Sequence, residues 1–285
     1  MKTVFIFGAG VSKEAGAPVM ADFLDTAHHL RHKTIGQSEV KEAFDDVFNA
    51  ISELHPIHHR SYLNLNNIEE VFSAIEMAQI IGRLGSLKQE RIEKLKKSII
   101  TLIVETLAKT IKFPVRHDCV VPPDIFNAFA KRIKELKSET AGVVPDIAFI
   151  TFNYDFILDY ALQCNGIATD YCLFGRAPIE RGIPLLKLHG SLNWLRCDKC
   201  NGITAIDMKE FQKIRFGYGG HAVTNLDLNM HKTYTRAEFK CSRCEDQRLN
   251  DSPVLVPPTW NKSGYHDNVR NVWQAAAKVL AEAEN

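Results

Sequence analysis

Long apolar runs are missing from this chain of 285 residues. No stretch reaches the roughly 20 consecutive apolar residues that a membrane helix needs, so no membrane partner is expected. An excess of either charge is missing too: 35 Lys and Arg stand against 34 Asp and Glu, a formal net charge of +1. Without a basic footprint there is no electrostatic basis for direct nucleic-acid binding or for docking on an anionic surface. Internal repeats and low-complexity tracts are also absent. Hydrophobic residues make up 45% of the chain, enough for one large domain or one and a half average ones.

A secretory leader is lacking as well. Met1-Lys2, Thr3–Val11 and Ala15-Gly16-Ala17 imitate a short one, but Lys13 and Glu14 fall where small neutral residues belong. Cleavage there would remove the first glycine turn. The stretch reads better as a buried first strand, and the chain as cytoplasmic. The seven cysteines suit that compartment. An odd number, four of them at zinc-ligand spacing, reads as metal binding rather than a disulfide framework. Cys119, Cys164 and Cys172 are left over as buried or half-buried small apolar residues.

What is present comes in a telling order. Val4–Phe7 is a short apolar run closed by Gly8, as in a buried parallel strand. A helical pattern runs over Asp22–Arg31, and helices with connecting loops continue to about Gly142, with no convincing strand. Asn67 caps a helix with Glu70 three residues on. Ser86 and Gln89 repeat that signature before a long helix carrying Ile92, Leu95, Ile99, Ile103 and Leu107 on one stripe. Ile125–Leu136 is a further helix. Strand signals return at Ile147–Phe152, Leu185–Leu188 and Pro253–Val256. Strands alternating with helices indicate a parallel sheet that binds ligands at its carboxyl edge. A last helix, from about Asp267 to Glu284, has Val269, Val272, Trp273, Ala276, Val279 and Leu280 on one stripe. It is expected to pack Val272, Trp273 and Leu280 on the sheet and to lead into a further strand beyond Asn285.

Three features carry chemistry. Gly8-Ala9-Gly10 stands between a strand and a helix, where bare backbone N–H groups can approach a pyrophosphate; the full Gly-x-Gly-x-x-Gly spacing is not met, because position 13 is Lys. Asn153 and Asp155 alternate at a strand end, so both can face one side, and His189 ends another strand with Gly190 beside it. Cys197, Cys200, Cys241 and Cys244 form two Cys-x-x-Cys pairs suited to a tetrahedral zinc ion with no open position, hence structural. Histidines also cluster at 28, 29 and 32 and at 55, 58 and 59. Asp25 with His28 or His29 and His32 could share a helix face for a second metal, but exposed helix and loop residues explain them more simply.

Taken in order, Gly8–Ser12, Gly16-Ala17-Pro18, Thr151–Asp155, His189-Gly190 and the four cysteines resemble the sirtuin family. The resemblance implies an α/β fold: a Rossmann-type parallel core (1–25, 142–192, 252–285), a large helical insertion (26–141) and a zinc-ribbon module (193–251). It places Asn153 and His189 at catalytic positions. Gly8, Ala9, Gly10 and Ser12 fall on the NAD-binding turn, and Asp155 on the ribose side of the NAD pocket. NAD is then the substrate, and a structural Zn2+ the metal. Where deacylating relatives continue Gly16-Ala17-Pro18 with an acidic residue, Phe and Arg, this chain has Val19-Met20-Ala21. Beyond the second cysteine pair it reads Val254–Trp260 in place of the segment that embraces acyl-lysine. These departures, with Leu186–Trp194, look like the sirtuin-like domains of bacterial antiphage systems, which hydrolyse NAD to ADP-ribose and nicotinamide. That branch implies a homo-oligomer or a defence partner such as an ATPase or an Argonaute-like subunit. The alternatives are an NAD-dependent protein-lysine deacylase and a non-catalytic module that binds NAD or ADP-ribose.

Overall fold

The computed structural model describes residues 2–32, 38–58, 62–117, 119–139, 146–174, 179–206, 240–259 and 266–283. His59, Trp260 and most of the segment between the two cysteine pairs lie outside them. The chain divides into two compact units. One comprises Met1–Gly16, Ile111–Leu255 and His266–Asn285, the other Ala17–Thr110 and Val256–Tyr265.

The first unit is built on a parallel sheet in the order β1-β4-β6-β5. Its strands are β1 (Lys2–Phe7), β4 (Asp146–Thr151), β5 (Thr169–Asp170) and β6 (Ile183–Lys187). β4 is apolar on both faces, with Ile147, Ala148, Phe149 and Ile150 all buried, as an inner parallel strand should be. Helix α6 (Asp124–Glu139) covers one face: Phe129 meets Phe5, Phe7 and Phe149 with ring centroids 5.5–5.9 Å apart. This helix lies within the insertion 26–141 of the sequence reading, yet it belongs to the sheet unit. A two-stranded hairpin, β2 (Val115–Arg116) and β3 (Cys119–Val120), precedes it. Sequence reading found no strand there, because two-residue strands leave no periodicity to detect. Helix α7 (Ile157–Cys164) follows the site loop.

The last helix, α8 (His266–Ala281), packs on β6 and β1. Val269, Val272, Ala276 and Val279 are buried, and Trp273 Nε1 donates to the Leu188 carbonyl at 2.9 Å. Leu280 departs from expectation: it is 47% exposed, one position beyond the buried stripe. The sequence reading also put 253–256 in the parallel sheet. Instead β9 (Leu249–Leu255) pairs antiparallel with β7 (Gly190–Cys197), which also pairs with β8 (Ile203–Ala205). An apolar run reports burial but not its partner, and this run is buried against a hairpin.

The second unit is helical. Helices α2 (Phe23–Arg31), α3 (Ser38–His58) and α4 (Ile68–Ile81) pack around α5 (Gln89–Thr110). Phe44, Val47, Phe72, Ile75, Leu95 and Leu102 are fully buried between them. Asn67 caps α4 as expected, its side chain accepting from Glu69 N and Glu70 N. Ser86 does not cap α5. Its N–H and hydroxyl are both taken by the Glu53 carboxylate at 2.9 and 2.6 Å, so the helix starts three residues later. His28, His29, His32 and His55 lie exposed on α2 and α3. Among the leftover cysteines, Cys119 and Cys172 are half-buried, but Cys164 is exposed at the end of α7. No helix among the described residues is long and apolar enough to cross a membrane.

Candidate functional site

Parallel strands end their hydrogen-bond ladders with free backbone groups, and loops at the carboxyl edge gather what those groups can hold. Here the ladder carries on past the strands. Phe152 N donates to the Phe7 carbonyl (3.1 Å), Leu188 N to that of Thr151 (2.9 Å) and Leu192 N to that of Tyr154 (2.9 Å). The turns after β1, β4 and β6 are thereby tied side by side.

The first turn runs through Gly8 into a single helical turn, α1 (Ala9–Ser12), and a 3-10 turn (Lys13–Ala15). Gly8 has φ −111°, a conformation open to any residue, and a Cβ on Gly8 or Gly10 would meet nothing within 4 Å. Neither backbone strain nor packing within the chain therefore requires glycine at these two positions. They leave bare main chain facing open space, as a ligand-approach turn needs. Gly16, at φ 93°, is the glycine that the backbone itself requires.

β4 ends at Thr151, one residue earlier than the sequence suggests, so Asn153 and Asp155 sit in the loop after it. Both converge on Ser12. Asn153 Nδ2 donates to Gly8 O (3.0 Å) and Ser12 Oγ (2.9 Å), and Ser12 Oγ donates to Asp155 Oδ2 (2.7 Å). The other oxygen of Asp155 accepts from Ile157 N at 3.0 Å. Asp155 is buried at 6% exposure. Burial pushes its carboxyl above the usual range, against the opposing pull of Lys187 and of the Ser12 and Ile157 donors. Two donors, Ser12 Oγ and Ile157 N, face the carboxyl and favour its ionised form, and the raised pKa reflects what that form costs in a buried place. His189 is half-buried in the turn after β6, packed edge-on against Phe152 (5.4 Å) and beside Tyr154 (6.1 Å).

Beneath this loop lies a polar network that sequence reasoning missed. Lys187 is fully buried, donating to the Asp155 carbonyl and to Asp159 Oδ2 at 3.1 Å. Asp159 Oδ1 accepts from Tyr171 OH (2.5 Å), which accepts from Asn193 Nδ2 (3.2 Å). Asn193 Oδ1 in turn accepts from Ser191 Oγ at 2.6 Å. The signal was there, since a lysine between leucines in a buried strand needs an anion inside. Ser12, Asn153, Asp155, Asp159 and Lys187 line one cavity of about 10 Å³, close to the volume needed for one water.

The four cysteines form a second centre in the same unit. Their sulfurs all lie within 4.8 Å of one another, with Cys197 to Cys244 at 3.7 Å and Cys200 to Cys241 at 3.5 Å. A tetrahedral ion with bonds of about 2.3 Å to sulfur sets such edges near 3.8 Å. The two pairs share one local geometry. Asn201 N returns to the Cys197 carbonyl and Glu245 N to that of Cys241, both at 2.9 Å. Asn201 and Glu245 take left-handed φ of 55° and 58°; beyond that shared turn the pairs differ, Gly202 N donating to Cys200 Sγ and Arg243 N to Cys241 Sγ, both at 3.4 Å. Crowding splits the thiols. For Cys241, burial opposes ionisation, but the Arg243 and Cys244 N–H groups and the neighbouring thiols pull it down to about 6. For Cys244, the Asp246 N–H favours the thiolate, yet burial and the other three thiols push it up to about 12. A cation at the centre would relieve that mutual repulsion, so the donor set fits a metal ion. It is the only such group among the described residues.

A scan against protein-family models finds no match for this chain, and neither does a search of curated proteins.

Proposed function

We propose that this protein is an NAD+ hydrolase that releases nicotinamide and ADP-ribose, built on a sirtuin-like, Rossmann-type core with a structural zinc ribbon. One observation carries the reading: the Asn153 amide, bonded to both Gly8 and Ser12, joins the glycine turn to the residues assigned to chemistry. Two glycines that the fold does not need and a histidine held beside the same loop add support. The sirtuin resemblance of the sequence supplies the substrate.

The scissile bond joins ribose C1′ to a cationic pyridine, so the leaving group departs as neutral nicotinamide without protonation. The protein has to steady an oxocarbenium-like centre and deliver water. In this reading the glycine turn takes the phosphates, Asn153 Oδ1 orients the water or a ribose hydroxyl, and His189 accepts the proton released. Such a base contributes about 10²–10⁴-fold in rate. Ligand pockets are typically about 300–1,000 Å³, so a cavity of about 10 Å³ has to open when the dinucleotide enters. The cysteine centre, with four thiolates and no vacant position, holds the zinc for folding rather than for reaction.

The test is incubation with NAD, alone and with candidate defence partners, while nicotinamide and ADP-ribose are followed. Asn153→Ala and His189→Ala are expected to lose activity by at least about 10²-fold with folding retained. Parental turnover in both variants would refute the assignment. Binding of NAD without turnover in every preparation would replace hydrolysis by a sensing role.

A further inference from the structure

The orientation of the Asn153 amide follows from the groups around it. A backbone carbonyl only accepts, so the end of the amide 3.0 Å from Gly8 O has to be Nδ2. Its second hydrogen then goes to Ser12 Oγ at 2.9 Å, which makes that oxygen an acceptor. The single proton of Ser12 is left for Asp155 Oδ2 at 2.7 Å. Ile157 N occupies the other oxygen of Asp155. Every donor in the chain has one acceptor, and the direction runs one way, from Asn153 through Ser12 to Asp155. The Asn153 oxygen is left on the side away from Gly8 and Ser12, as an acceptor for a water or hydroxyl hydrogen.

We infer that Asp155 is a positioning residue that sets the Asn153 amide through Ser12, rather than a group that itself touches the ribose. The inference rests on the hydrolase reading for its catalytic meaning, but the hydrogen-bond relation stands without it. Each oxygen of Asp155 already accepts one bond from within the chain, and the residue is 6% exposed. The Lys187 ammonium, fully buried and bonded to the Asp155 main-chain carbonyl, holds the loop that presents the carboxylate. An isosteric Asp155→Asn exposes the logic. The Ile157 N–H needs an acceptor, so the new NH2 has to face Ser12, and the Ser12 hydroxyl loses the acceptor that fixed its proton. Ser12 Oγ then either accepts from two amides at once or turns its proton toward Asn153; both weaken its hold on the Asn153 amide with no change in side-chain size.

The experiment begins without ligand. In protein labelled with ¹⁵N at asparagine, the Asn153 side-chain signal is assigned by its loss in Asn153→Ser, and solvent exchange of its NH2 protons is measured. Exchange is expected to be slow in the parent. It should accelerate about tenfold in Asp155→Asn and in Ser12→Ala, as for loss of one hydrogen bond, with the double variant no faster than either single. Ser12→Thr, which keeps the hydroxyl, should remain slow and covers the case in which another variant fails to fold. Exchange unchanged in both Asp155→Asn and Ser12→Ala overturns the proposal. On NAD, positioning predicts that kcat falls about 10²-fold in each single variant and equally in the double, with KM nearly unchanged. A raised KM with kcat intact would make Asp155 a direct ribose contact and also overturn it. A parent that leaves NAD untouched while the exchange pattern holds defeats the hydrolase reading and leaves the positioning relation standing.

Discussion

Replacing Lys187 by Met tests whether the buried network holds the site loop together. The Lys187 side chain is 0% exposed and that of Asp159 3%, so the substitution strands a buried carboxylate with Tyr171 as its one remaining side-chain donor among the described residues. It also frees the Asp155 carbonyl. Breaking a buried pair from one side costs about 3–5 kcal/mol, because the remaining charge is uncompensated. At about 2–4 °C per kcal/mol for a chain approaching this size, the melting point should fall on the order of 10 °C at neutral pH. The pH dependence gives a second handle. Asp155 has a folded-state pKa raised by burial, and Lys187 is the main force holding it down. A carboxyl raised in this way contributes its full stability below its unfolded value of about 3.9, and loses that contribution as pH rises through the folded value. Lys187→Met lifts the folded value further, so the deficit of the variant should narrow between about pH 7.5 and pH 5. Urea denaturation monitored by tryptophan fluorescence at both pH values reads the effect. Adding Asp159→Leu should recover much of the loss, since it removes the stranded charge. A single variant within about 1 kcal/mol of the parent at pH 7.5 would refute the network as described.

Gly190→Ala places a Cβ 2.0 Å from the Val254 carbonyl at φ +81°, and should cost about 2–5 kcal/mol through strain and overpacking of β7 on β9. Gly8→Ala, with nothing within 4 Å, should change stability by less than about 0.5 kcal/mol while weakening NAD binding; thermal melts of the two variants read the contrast. Metal analysis should find one zinc per chain in the parent and none in Cys241→Ser, and chelation should lower the melting point of the parent. Stability indifferent to metal removal would count against a structural ion.

The features legible from the sequence are those written in local spacing. Two Cys-x-x-Cys pairs predict four sulfurs that do converge, and Asn67 with Glu70 predicts a cap that forms. Apolar runs at 147–152 and 185–188 predict inner strands. Pairing across the chain was not legible. Nothing in Pro253–Val256 tells whether its partner is β6 or β7, and nothing near Ser86 announces that Glu53, 33 residues earlier, will claim its hydroxyl. At the site, the residue types Asn, Asp and His stood out, but their geometry did not follow from alternation along a strand, since β4 stops at Thr151. Ser12 brings Asn153 and Asp155 together from more than 140 positions away. Lys187, set between leucines in a buried strand, signals a buried cation, but nothing in the sequence names Asp159 as its partner.

The twin cysteine knuckles bear on the order in which the protein becomes itself. Cys200 and Cys241 are 41 positions apart, so an ion that joins them is a crosslink across a large loop. Bringing such ends together costs roughly 3 kcal/mol of chain entropy, and until it is met each knuckle can offer an ion only half its ligands. The first knuckle continues directly from β7, whose other end begins at Gly190, next to His189. Capture of the ion by the distant second knuckle therefore also draws β9 toward β7, because Cys244 and Leu249 are separated by only four residues. Metal supply would then set the pace at which newly made chains complete the β7–β9 pairing beside the candidate site, and chains without the ion would stall with that pairing open.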